Sequence, residues 1–209
     1  MFDFSLYTAP DADEVVRLLG DVFATRDPPA VAVGLTSTEF ETLVRLFCPK
    51  AASESLTIVA RSAGTGEMAG ALLTEDSASV TPAGVERLSP KFDPIFDILG
   101  QLDAEYRAGR TVREGESLHL FLLGVSPRFA GQGVAQALVA RCLANGSGRS
   151  YRVAVTEATN RTSQHIFRKQ GFTERVRRSY RDHRFQGTAP FAMIADQGGP
   201  VLMDRPLKP

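Results

Sequence analysis

Cysteine is scarce in this chain. Cys48 and Cys142 are the only two, they lie far apart, and each falls in an apolar helical pattern, which excludes a disulfide framework and reads as buried, reduced thiols. Neither adjoins a basic cluster that would stabilise a thiolate, so neither is read as a nucleophile. No sign of charge is in excess: 24 basic and 24 acidic residues cancel, so nothing global draws the protein toward nucleic acid or an anionic membrane. No apolar run approaches the length of a membrane span, and the acidic opening MFDFSLYTAPDADE has no basic leader pattern, so the expected location is the cytoplasm. Histidine is rare as well, and His165 and His183 have no third ligand at metal spacing; no metal site is expected. What the chain does have is 43% hydrophobic content over 209 residues, enough for one globular domain spanning residues 1–209.

Periodicity divides the chain into alternating elements. Asp11 and Glu14 form a capping-box pair ahead of a helix whose apolar face is Val15, Val16, Leu18, Leu19, Val22 and Phe23, and which ends before Asp27-Pro28-Pro29. Thr36 and Glu39 cap a second helix that Pro49 is expected to stop. Residues 56–61 and 68–74 read as an antiparallel hairpin. Asp93-Pro94 opens a helix with Ile95, Phe96, Leu99, Leu102 and Tyr106 on one face. A strand at 118–125 feeds a glycine turn and a helix expected to end near Asn145, at an Asn-Gly-Ser-Gly stop. A strand at 151–156, a helix at 160–169 closed by Gly171, and strands at 172–180 and 200–207 complete the pattern.

The chemistry concentrates at LHLFLLGVSPRFAGQGVA, where an apolar strand runs into a glycine-punctuated basic turn that opens a helix. Gly131 and Gly133 remove Cβ atoms where backbone amides must approach an anion, and the helix beginning near Val134 offers free N–H groups. Arg128 adds a charge-assisted contact. No Lys-Ser/Thr pair follows the second glycine, as a triphosphate loop requires, and the third glycine of the dinucleotide pattern is missing.

The spacing that remains, Arg128-x-x-Gly131-x-Gly133, resembles the acetyl-CoA signature of the GCN5-related N-acetyltransferase (GNAT) superfamily. The segment from Asn160 to Gly171-Phe172 is similar to that superfamily's second signature, and Phe23-Ala-Thr-Arg-Asp27-Pro28, Glu157-Ala-Thr, Ser163 and the tail around Gly187 and Pro190-Phe191 resemble the arylalkylamine and insect dopamine enzymes. The resemblance implies an α/β (α+β) fold with a mixed, mostly antiparallel sheet of about seven strands, a V-shaped splay between the two central strands, and helices on both faces. It implies an N-acetyltransferase that takes acetyl-CoA as cosubstrate and a small aryl- or alkylamine as acceptor, by direct attack in a ternary complex. Peptide or protein N-acetylation, or a CoA-binding sensor without turnover, are the alternatives. A homodimer formed through the C-terminal strands is common in proteins of this shape.

The expected CoA contacts are Leu123, Gly124, Val125, Arg128, Phe129, Ala130, Gly131, Gln132, Gly133, Val134, Ala135, Asn160, Ser163 and Phe167, with the Val125 amide aimed at the thioester carbonyl. Asp27 stands where the insect-type enzymes carry a Glu-Pro pair and is the first candidate for general base. His119 is the second: counting by twos from Val125 puts Leu123, Phe121 and His119 on one strand face, looking into the cleft. Many relatives place a tyrosine acid where this chain has Phe167. Ser163 is the candidate that replaces it, with Tyr180 a remote third.

Overall fold

The computed structural model describes residues 1–207. Seven strands form one sheet in the order β1-β2-β3-β4-β5-β7-β6: β1 Phe2–Leu6, β2 Ile58–Ser62, β3 Met68–Asp76, β4 Ser117–Val125, β5 Val153–Ala158, β6 Thr173–Arg177 and β7 Val201–Pro206. Every pairing is antiparallel except β4 with β5. Six helices cover it: α1 Ala12–Arg26, α2 Pro28–Ala32, α3 Ser37–Glu54, α4 Asp93–Arg107, α5 Val134–Gly148 and α6 Arg161–Lys169.

The helices bury the two faces of the sheet in separate clusters. Val15, Val16 and Leu19 of α1, with Phe40, Val44 and Phe47 of α3, close one face over Val59, Ala71 and Leu122. Leu138, Val139 and Cys142 of α5 close the other over Leu72, Leu118, Leu120 and Ala154. Both cysteines are buried and unpaired, and burial pushes the Cys142 thiol up to about 12, far from thiolate formation at neutral pH.

Local rules failed where packing or solvent supplied an alternative. Pro49 does not stop α3, which runs on to Glu54. Pro49 and Arg45 both lie on the solvent face, so the Arg45 carbonyl that loses its helical partner meets water, while Cys48 and Ala51 carry the buried face onward. The Asn-Gly-Ser-Gly signal likewise falls inside α5. Asn145 Nδ2 donates to the Ser55 carbonyl, and Gly146 lies flat against Leu118, so tertiary contacts extend the helix. Asp11 caps nothing of α1; its carboxylate accepts from Thr8 and Arg61, closing a box one turn earlier. Strand β1 went unread in the sequence because its five residues alternate with only partial burial at the sheet edge.

Candidate functional site

The parallel pairing of β4 with β5 lasts three rungs, Ser117 to His119 against Val153 to Val155. Beyond them the strands diverge, the Thr156 hydroxyl donating to the Leu120 carbonyl at 2.9 Å near the vertex. Strand β4 keeps its other edge on β3 as far as Val125, and the Ser126 amide donates to Ala69 on that side. Main-chain groups alternate sides along a strand, so the amides of Leu123 and Val125 point into the opening.

Just past the strand, a 3-10 turn (Pro127–Phe129) leads to Gly131 and Gly133, at φ +76° and +80°. The amides of Gly131, Gln132 and Gly133 make no hydrogen bond within the described residues, and α5 begins with no side-chain cap. A Cβ built on either glycine would meet open space. These are free donors at an uncapped helix start, the chemistry a pyrophosphate needs. Ala130, Val134 and Ala135 complete the turn. Arg128 is exposed and forms an ion pair with Glu67 at 2.5 Å, while Phe129 turns inward, edge-on to Phe2 at 5.6 Å.

A cleft of about 930 Å³, its open mouth included, runs from the splay to the ends of α1, α3 and α4. Its walls are mostly apolar, with Phe23, Phe40, Phe92, Phe96 and Phe121 among them, and Asp27, Glu157, Thr159, Asn160 and Ser163 supply polar atoms. Asp27 ends α1 and caps α2, accepting from the Ala30 amide, and its other oxygen accepts from the Thr159 hydroxyl at 2.5 Å. Burial pushes the Asp27 carboxyl up to about 6, against the lowering effect of those two donors. Tyr180 donates its hydroxyl to the Thr159 carbonyl at 2.7 Å, and is thus committed to holding this corner.

Helix α6 is capped by Asn160, whose Oδ1 accepts from the Ser163 amide at 2.8 Å. The Ser163 hydroxyl donates to the Asn160 carbonyl at 2.9 Å. Phe167 lines the cleft and packs edge-on against Phe172, so the position expected for an acid carries no proton.

His119 lies elsewhere than the count by twos implies. The register between β3 and β4 shifts at Leu73/Thr74, with Leu73 opposite Leu122 and Thr74 opposite Leu120, which leaves Phe121 as a bulge. Leu123 and Val125 therefore pack with the α5 cluster, while Phe121 packs with the α3 cluster. The His119 ring sits 5.5 Å from Phe121, with Nδ1 3.0 Å from Glu75 and Nε2 2.7 Å from Glu157. Those two carboxylates overcome the opposing effect of burial and hold the imidazole at about 10, a cation at neutral pH. Sequence reasoning passed over Thr159, Glu75 and Glu157 as functional residues; the only local signal was Glu-Ala-Thr-Asn at the end of β5.

Residues 104–186 match the family described as "Acetyltransferase (GNAT) domain". That stretch of the chain is similar to a GNAT acetyltransferase domain. The seven-stranded splayed sheet expected from the resemblance is present, and the reading of the chain as an N-acetyltransferase stands with it. Solved structures share the fold over the whole length. The C-terminal condensation domain of Ebony, in complex with beta-alanyl-dopamine, superposes with a TM-score of 0.90 at 13% identity, covering 99% of each chain. Arylalkylamine N-acetyltransferase 2 from Aedes aegypti gives 0.79 at 20% identity, again over 99% of each. The Drosophila melanogaster polyamine N-acetyltransferase that forms N-acetylagmatine gives 0.78 at 15%, over 99% of this chain and all of that one.

Proposed function

We propose that this GNAT domain transfers an acetyl group from acetyl-CoA to a small primary amine with an apolar or aromatic body, by direct attack. The observation that carries this reading is that one strand, β4, serves two differently built places. As far as Leu123 it lines the cleft that holds Asp27 among phenylalanines, and past Val125 it leads to the turn where the amides of Gly131, Gln132 and Gly133 are unpaired among the described residues. The pyrophosphate lies on the free amides around the start of α5, and the pantetheine runs between the splayed strands past Asn160, Ser163 and Phe167. The Val125 amide donates to the oxygen of the thioester carbonyl as negative charge develops there. Asp27, held by Thr159, takes the proton that the acceptor ammonium must lose before its nitrogen can attack. With phenylalanine at position 167, the thiolate departs with no tyrosine acid, and the Ser163 hydroxyl, which lines the cleft, supplies the proton in its place.

Walls formed by α1, α3 and α4 favour a small acceptor over a peptide, which requires an open groove. Residues 187–193 are not among the lining residues; Phe191 packs against Tyr180 and His183 instead.

Release of free thiol from acetyl-CoA, measured against a panel of aryl- and alkylamines, tests this reading. The expected result is CoA-dependent thermal stabilisation with amine-dependent thiol release. Stabilisation without turnover across the panel would make the domain a CoA sensor, and CoA seated away from residues 128–135 would overturn the assignment.

A further inference from the structure

Four ionisable side chains cross the sheet in a row of alternating charge. Lys50 of α3 meets Glu75 of β3 at 2.5 Å, Glu75 meets His119 of β4 at 3.0 Å, and His119 meets Glu157 of β5 at 2.7 Å. The row sits at the last rung that joins β4 to β5, since His119 pairs with Val155 there. All four side chains are largely buried, between 13% and 17% exposed. A buried charge is retained only if paired, and each interior member of this row has an opposite charge on both sides. The row is neutral in sum yet polar in direction. Its positive end, Lys50, lies by α3, while its negative end, Glu157, lines the cleft.

Glu157 uses Oε2 on His119 and, among the described residues, makes no hydrogen bond to another residue through Oε1. It precedes Thr159 by two positions, which on an extended chain is roughly 7 Å. Thr159 holds Asp27, so the cleft presents two carboxylates along one wall. Their environments differ: Asp27 has only neutral donors, whereas Glu157 has an imidazolium that keeps it ionised. Two carboxylates in different settings take different tasks, and the one poised near neutrality suits proton uptake.

Building on the acetyl-transfer reading, the geometry points to Glu157 as the carboxylate that docks the acceptor's ammonium group, with His119, Glu75 and Lys50 as positioning residues that aim it and keep it charged. The acceptor thus enters as a cation held by Glu157 and loses its proton to Asp27. His119 acts through Glu157 and takes no proton itself.

Steady-state kinetics with the best amine of the panel supply the test. Glu157→Gln is expected to raise the amine KM about tenfold or more with little change in kcat, the mark of lost ground-state binding to a charged group. Glu75 does not line the cleft. Glu75→Gln nevertheless removes one of the two carboxylates that face His119, leaving Glu157 on β5 opposite it and Lys50 of α3 behind the substituted residue. His119 then deprotonates at lower pH, so the cation beside Glu157 is lost within about pH 6.5–9 and the amine KM changes across that range in a way the unsubstituted protein lacks. The acetyl-CoA KM stays constant in both variants. Unchanged amine KM values, or a Glu75→Gln profile that tracks the original, would overturn the inference while leaving acetyl transfer intact.

One measurement needs no variant. The ¹⁵N signals of His119, one of three histidines, should report a doubly protonated ring at pH 8 that shifts when the amine is added without acetyl-CoA. A neutral ring, or one blind to the amine, overturns the proposal even in the absence of turnover.

Discussion

Thr159 donates its hydroxyl hydrogen to Asp27 across 2.5 Å of space and 132 positions of sequence. That bond ties the corner between α1 and α2 to the end of β5, and so joins the acceptor side of the cleft to the splay. Asn160, next in sequence, orients the α6 helix start from the same point, and Tyr180 secures the Thr159 carbonyl beneath it.

The pH dependence of kcat/KM should report Asp27. Its carboxyl, pushed up to about 6 by burial, must be ionised to accept a proton, so the rate climbs as pH rises through that value and then levels. Asp27→Asn is expected to lose this limb and about 10²-fold or more of kcat/KM. Thr159→Val removes a donor to the carboxylate and should move the limb to higher pH, whereas Thr159→Ser should restore it.

Stability should move the opposite way to activity at this residue. Asp27 goes from 3.8 in the unfolded chain to about 6 when folded, so between those values the folded state holds a proton that the unfolded state has released. Stability therefore falls as pH rises through the window, by roughly 3 kcal/mol once the buried carboxylate is fully ionised. Urea or thermal melts should find Asp27→Asn more stable than the parent at pH 8 and nearly equal at pH 4. A less stable variant at pH 8 would mean that the carboxylate is better solvated than its burial implies.

At the anion cradle, Gly131→Ala and Gly133→Ala each force a side chain into left-handed backbone, at about 1–2 kcal/mol. Each also sets a methyl group in the open space over the free amides. Calorimetric titration should show CoA binding weakened about tenfold or more for each, since roughly 1.4 kcal/mol is a factor of ten. The amine KM should be unaffected.

Gly124 tests how the splayed strand seats on α1. A Cβ at this position would lie 2.5 Å from Leu19 Cδ2, and Leu19 is fully buried with nowhere to retreat. Gly124→Ala is expected to lower stability by about 1–3 kcal/mol in a denaturant titration. A melt unchanged from the parent would show that α1 can slide on the sheet.

The turn proposed to hold CoA was legible because its information is local. Strand, glycine turn and helix start are consecutive in sequence, and backbone amides at a turn need no distant partner to be aimed. Most helix boundaries were legible for the same reason: Thr36 with Glu39 and Asn160 with Ser163 close their caps within three residues. The acceptor half was not. A single bulge at Phe121, invisible in any apolar count, turned His119 away from the face shared by Leu123 and Val125. Its charge state was set by Glu75 and Glu157, 44 and 38 positions away.

By itself, then, the sequence determined the class of fold, the order of most of its elements and the glycine turn proposed to hold a diphosphate, because periodicity, caps and glycine turns act over a few residues. Only the tertiary structure decided that Pro49 and Gly146 lie inside helices, that Thr159 serves Asp27, and that His119 is a clamped cation. Those outcomes depend on desolvation and on charges brought together from separate strands, and a linear pattern carries neither.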